Sequence, residues 1–175
     1  MKQLMNEEMI ARSLKRMSHE IIERNRGIDN LVLVGIKTRG EFLASRIADN
    51  LYQIEGHRIE AIAIDISKYR DDVINDTVND IPEINYNFKD KIVILVDDVL
   101  FRGRTARAAV EYVLKHGRAE VIQLAVLIDR GHRQLPIKPD YIGKNIPTSE
   151  DEVIKCCLKE IDGIDSVYIN NKQVK

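Results

Sequence analysis

The stretch Lys91–Ala109, KIVILVDDVLFRGRTARAA, decides how the rest of the chain is read. Ile92 to Val96 is an apolar, β-branched run of the length expected of a strand buried on both faces. Two acids, Asp97 and Asp98, follow where such a strand reaches the sheet edge. A short loop then leads through Gly103 into apolar positions at helical spacing: Ala106, Ala109, Val110, Val113 and Leu114. Strand, turn and helix N-terminus in that order present backbone N–H groups and a helix dipole to a phosphate. Arg104 and Thr105 add a cation and a hydroxyl. The paired carboxylates just upstream suit vicinal hydroxyls or a hydrated Mg²⁺. Together these are the requirements of a phosphorylated ribose. The blander reading, in which the acids cap a strand and Gly103 turns the chain, leaves two costly carboxylates without partners. Neither G-x-x-x-x-G-K-[ST] nor G-x-G-x-x-G occurs, so two common nucleotide fingerprints are absent.

This stretch resembles the motif that binds 5-phosphoribosyl 1-diphosphate (PRPP) in type I phosphoribosyltransferases. It is most similar to the version in the PyrR family, bacterial pyrimidine-operon attenuators that are also uracil phosphoribosyltransferases. That family reads VDDVL-aromatic-TGRT-x-RA, and this chain reads VDDVLFRGRTARA. Arg102 departs from the pattern, standing where threonine is usual. Its guanidinium has three options: to fold outward, to reach back to the phosphate as a charge-assisted donor, or to block the phosphate pocket.

The 175 residues suit one domain with a buried core, and 44% hydrophobic with 31% charged residues is ordinary for a soluble protein. The apolar runs are far shorter than a membrane span, and the N-terminal MKQLMNEEMI is not signal-like. The adjacent Cys156 and Cys157 read as reduced strand residues rather than a disulfide framework or a spaced metal site. These features point to the cytoplasm. The net charge of −1 means that any RNA-binding surface must come from segregating the cations onto one face.

Taken in order, residues 6–25 form a helical pattern with Ile10, Leu14, Met17 and Ile21 on the apolar face. Lys15, Arg16, His19 and Arg24 project largely from the other side, which by itself also describes a solvated surface. Residues 30–36, NLVLVGI, read as a buried strand running through Lys37, Thr38 and Arg39 into a helix over 41–52. Residues 58–66 read as another strand. The polar segment 67–87 is too long for a plain connection and reads as a functional flap, a two-stranded ribbon or an oligomer arm. Residues 120–129 form a further strand, followed by RGHRQLP, the densest cationic cluster, with Arg130, His132 and Arg133, and then Lys138 and Lys144. Residues 152–158 and 166–169 read as two short strands around the Asp162-Gly163 turn.

The resemblance extends from about Ile10 to Ile169 and includes RGHR-x-LPI-[KR]-x-DY-[IV]-GKNIPTS, which separates PyrR proteins from other phosphoribosyltransferases. It implies an α/β type I phosphoribosyltransferase fold: a mostly parallel sheet of about five strands flanked by helices. A small cap from the flap and C-terminal regions and a flexible loop over 67–87 complete it. It implies uracil phosphoribosyltransferase activity, uracil and PRPP giving UMP and diphosphate with Mg²⁺. Asp97 and Asp98 would hold the ribose hydroxyls and the metal. Val99, Leu100, Phe101, Arg102, Gly103, Arg104 and Thr105 would surround the 5′-phosphate and nucleotide. Lys37, Thr38 and Arg39 would take the diphosphate, with Arg70 and Arg130 as further contacts. It also implies binding of a pyrimidine-operon leader hairpin, promoted by UMP or UTP, through Lys15, Arg16, His19, Arg24, Lys37, Arg130, His132, Arg133, Lys138 and Lys144. Oligomers built from dimers, either a homodimer or a hexamer of dimers, belong to the same expectation. A regulator that has lost catalysis through Arg102 is the alternative.

Overall fold

The computed structural model describes residues 1–72 and 82–172. Alternating segments of β-branched runs and amphipathic helices fold into a five-stranded parallel sheet with helices on both faces. The elements are β1 (Lys2–Met5), α1 (Glu7–Asn25), β2 (Leu31–Ile36), α2 (Arg39–Glu55), β3 (Glu60–Ile64), β4 (Ile92–Leu100) and α3 (Arg104–Lys115). They continue with β5 (Val121–Asp129), β6 (Tyr141–Asn145), β7 (Glu152–Cys157), α4 (Lys159–Asp162) and β8 (Ser166–Asn171). The large sheet has the order β3-β2-β4-β5-β6, and β1-β8-β7 form a separate antiparallel sheet.

Strand side chains alternate between faces, and the two cores follow that alternation. Leu33, Ile94, Val96, Ala125 and Leu127 face α1 and α2, whereas Val32, Val34, Val93, Leu95 and Val126 face α3. The first cluster also contains Met5, Ile154, Cys156, Leu158 and Val167, so the small sheet packs into the same core. α1 begins at Asn6, whose side chain accepts from Met9 N at 2.9 Å, with Glu7 and Glu8 in the first turn. No helix among the described residues is long and apolar enough to cross a membrane.

Several expectations need correction. β4 does not stop at Val96. Asp97 pairs with Val126 and Leu100 with Asp129, so both acids lie within the strand rather than beyond it. Hydrophobicity marks only the part of a strand covered on both faces, and β4 outruns its cover. α2 starts at Arg39 rather than residue 41. The fifth parallel strand is β6, which the periodicity did not disclose: it is short, at the sheet edge, and ends in Gly143, Lys144 and Asn145. The cap takes its third strand from the N-terminus (β1), not from the flap, among the described residues. The Asp162-Gly163 turn is the end of a one-turn helix, α4. Of the 67–87 segment, residues 73–81 lie outside the described residues. Its two ends are anchored. Tyr69 is buried and its hydroxyl donates to Glu83 Oε1 at 2.8 Å, while Ile84 N donates to the Tyr112 hydroxyl at 3.1 Å.

Candidate active site and nucleic-acid interface

β4 is the central strand, and its C-terminal half carries Asp97 and Asp98 to the end of the sheet between two helix N-termini. α2 begins after Thr38 and α3 after Gly103, and neither cap residue supplies a side-chain hydrogen bond to the helix. The first-turn N–H groups of both helices are therefore left for an outside acceptor. Gly103 stands at φ +91°, a conformation that favours glycine, and so turns the strand into α3 over a short path. On the other side, α2 approaches β4 closely because Gly40 has no side chain: a Cβ there would lie 2.3 Å from Val96 O.

Two adjoining hollows result. One, of about 190 Å³, is lined by Val99–Ala106 with Arg70, Asp72 and Asp97. The other, of about 240 Å³, is lined by Ile36–Arg39, Asp97, Asp98, Val99, Arg70 and Thr105. Asp97, Val99, Arg70 and Thr105 are shared walls. Burial, and then the neighbouring Asp98, push the Asp97 carboxyl well above the usual range. Asp97 Oδ1 accepts from Asp98 N at 2.9 Å, and Asp98 Oδ1 from Val99 N at 2.8 Å. Among the described residues no group of three or more His, Cys, Asp or Glu side chains converges as a metal cage. Two adjacent carboxylates fit a Mg²⁺ that keeps waters and is held largely by a ligand's phosphates.

Three cations around these hollows, Arg104, Arg70 and Arg39, are engaged with aspartates. Arg104 Nη1 lies 2.9 Å from Asp71 Oδ2, and its Nε donates to Gln134 Oε1 at 3.0 Å. Arg70 forms a two-point pair with Asp72 at 2.8 and 2.6 Å and reaches Thr105 Oγ1 at 3.4 Å. Arg39 faces Asp162 of α4 at 3.2 Å, and its Nε is buried with no partner among the described residues. Arg102 is exposed, with its guanidinium 4.9 Å from the Phe101 ring centroid, and both residues line the first hollow. Phe101 is also stacked by Arg130 at 3.9 Å. Lys37 is exposed beside the second hollow.

The basic positions divide in two. α1 packs along β6: Arg16 Nη2 donates to Gly143 O at 2.6 Å and Ile142 O at 3.0 Å, and Arg24 pairs with Asp140 at 2.8 Å. Lys144 Nζ reaches Leu4 O at 3.4 Å. Lys15, Arg16, His19, Arg24, Lys138 and Lys144 are all exposed, and Arg16, which also pairs with Glu20, and Arg24 make the seam between the helix and the β6 segment. Arg130 and Arg133 differ. Arg130 is 5% exposed and donates to Thr148 Oγ1 at 3.0 Å and Ser149 O at 3.1 Å. Arg133 is spent on Asp129 at 2.7 Å, Phe101 O at 2.9 Å and Ile137 O at 3.0 Å. These two guanidiniums hold the 130–137 loop against the Phe101–Arg102 turn, while His132 is exposed with its ring edge-on to Phe101. The sequence reading missed Gln134 and Asp162, whose partners are 30 and 123 residues away. Of Tyr69-Arg70-Asp71-Asp72 it singles out only Arg70, although the two acids beside it carry the charge of the phosphate that Arg70 would bind.

Residues 1–161 match the family of the phosphoribosyl transferase domain. A "Bifunctional protein PyrR" of Clostridioides difficile is 55% identical over 95% of this chain and 96% of its own length. Another of Bacillus cereus is 53% identical over 97% of both. Among solved structures, a hypoxanthine phosphoribosyltransferase of Trypanosoma cruzi superposes with a TM-score of 0.75 at 16% identity, over 98% of this chain and 97% of that one. One of Staphylococcus aureus gives 0.72 at 20%, over 95% and 90%, and both show the shared fold. The sheet order, the acids on its central strand and the full-length likeness to these relatives together place the chain in the phosphoribosyl transferase family, among the bifunctional PyrR proteins.

Proposed function

We propose that the chain transfers ribose 5-phosphate from PRPP to uracil, and that it binds the leader RNA of a pyrimidine operon in response to uridine nucleotides. The observation that carries the enzymatic reading is that two uncapped helix N-termini open onto adjoining hollows sharing Asp97. One hollow takes the 5′-phosphate through the N–H groups at the start of α3 with Gly103, Arg104 and Thr105. The other takes the diphosphate through Lys37, Thr38 and Arg39, which line it. Asp97 and Asp98 accept hydrogen bonds from the ribose hydroxyls between them. Val99, Leu100 and Phe101 wall the nucleotide, and Arg70 and Arg130 stand at its margins. Bound Mg²⁺ would neutralise charge developing on the departing diphosphate. What the chain's own residues do is orient the ribose and stabilise that charge, so catalysis is chiefly positioning and electrostatics. Residues 1–175 act as one domain, a reading supported by the core that both sheets share.

The regulator-only alternative requires Arg102 to obstruct the phosphate. Its exposure and its stacking on Phe101 favour an accommodated arginine instead. The rate of UMP formation from PRPP, uracil and Mg²⁺ in Arg102→Thr is therefore expected to stay within about fivefold of the unaltered chain, the scale of one exposed interaction. Activity found only in the threonine variant would support the regulator-only reading.

For RNA, the exposed seam of α1 and β6 supports phosphate contacts to a hairpin stem and readout of unstacked loop bases. Lys15→Ala with His19→Ala is expected to weaken leader-hairpin affinity by about tenfold and to lower the salt slope by about one unit. Binding measured between about 50 and 200 mM salt checks both. Unchanged affinity and slope would remove this face from the RNA interface. Arg133→Gln is a poor probe for this purpose, because Arg133 holds its own loop together.

A further inference from the structure

We infer that the carboxylates of Asp71 and Asp72 are internal stand-ins for the ligand's phosphate, and that they set the affinity and charge selectivity of that subsite. The inference rests on the phosphate-binding role proposed above for the start of α3. Asp71 pairs with Arg104 and Asp72 with Arg70, and both arginines line the hollow formed by the Val99–Ala106 turn. Asp72 is itself a wall of that hollow. Both acids come from the root of the 67–87 segment, not from the loop that forms the subsite. Arg70 bridges the two, since its other amine reaches Thr105 Oγ1.

The two arginines are thus charge-balanced by carboxylates of the chain itself. An arriving phosphate dianion offers the same two cations an acceptor of at least equal charge, so exchange for the carboxylates costs little. A neutral nucleoside offers no such exchange, and the arginines stay paired. Both pairs are partly exposed, with side-chain accessibilities of 30% and 45% for Arg104–Asp71 and 31% and 35% for Arg70–Asp72. Pairs of that exposure are weak enough to be displaced. The bond to Arg70 holds the Asp72 carboxyl below its ordinary value, so it remains ionised and competitive at neutral pH.

This predicts the opposite sign from a supporting role. If the aspartates merely hold Arg70 and Arg104 in place, removing their charge weakens phosphate binding. If they compete with the ligand, removing it tightens binding. The test is calorimetric titration of the full-length chain and of Asp71→Asn, Asp72→Asn and the double variant with PRPP, UMP and uridine. Each single variant is expected to bind PRPP and UMP about two- to fivefold more tightly, and the double variant about tenfold, with uridine unchanged. Asparagine is isosteric and both positions are surface-accessible, so melting curves serve only to confirm equal folding. PRPP and UMP binding that is unchanged or weaker in folded variants overturns the inference alone. An unaltered chain that binds neither PRPP nor UMP overturns the phosphate-site reading, and the inference with it.

Discussion

Asp97→Asn is expected to lower UMP formation by about 10²–10³-fold while making the folded chain more stable. The first effect follows from replacing one of two carboxylates that hold the ribose by a neutral amide, with a donor where one acceptor oxygen stood, a loss of the size seen when a preorganised electrostatic contact is deleted. The second follows from burial. The Asp97 carboxyl is raised above its ordinary value in the folded chain by desolvation and by Asp98. A carboxyl with a raised folded value penalises the fold once it ionises. The penalty is absent below the unfolded value near 3.9, grows between that value and the raised folded one, and is constant above it. Asparagine never ionises, so the difference in Tm between variant and unaltered chain should vanish in acid and widen towards neutrality. Each kcal/mol relieved corresponds to about 2–4 °C for a chain of this size. Melting curves across pH with parallel assays check both effects. A variant that is less stable at neutral pH, or that keeps its activity, would contradict the assignment of Asp97 as a strained functional acid.

Gly40→Ala is expected to damage stability and activity together. The methyl group would sit 2.3 Å from Val96 O, against backbone on the strand that carries Asp97 one residue later. Because backbone cannot swing aside, α2 must move away from β4. Overpacking of this kind costs about 1–3 kcal/mol, which lowers Tm by several degrees. Arg39 and Thr38 lie at the start of α2, so the diphosphate side of the site would move relative to the ribose acids. A displacement near 1 Å is enough for about a 10²-fold loss in turnover. Denaturant titration and steady-state kinetics on the same preparation check this pair. A variant with native stability and native turnover would mean that the close approach of α2 does not govern the site.

Some of this was legible in the residues. The apolar runs of β2, β4 and β5 and the 3.6-residue spacing of α1 and α3 placed the main layers, because burial on both faces leaves an unmistakable composition. The acids, the glycine turn and the basic residues behind it located the phosphate-binding end of the sheet. Edge elements were not legible. β1 and β6 are short and half-exposed, and their partners are fixed by tertiary pairing rather than by their own periodicity. The similarity of the motifs to PyrR proteins, not their spacing alone, pointed to uracil and RNA.

What the sequence by itself determined was the order of the layers and the chemical inventory at the end of β4, since hydrophobic periodicity and turn chemistry are local properties. Only the tertiary structure decided which cations are free and which are spoken for. Arg130 and Arg133 look like the most available charges in the chain, yet one is buried and both are consumed in holding a loop. Arg104, Arg70 and Arg39 each meet an aspartate, and the Arg104–Asp71 and Arg39–Asp162 pairs join segments distant in sequence. Electrostatic pairing depends on distance in space, and a linear sequence specifies that only after the chain has folded.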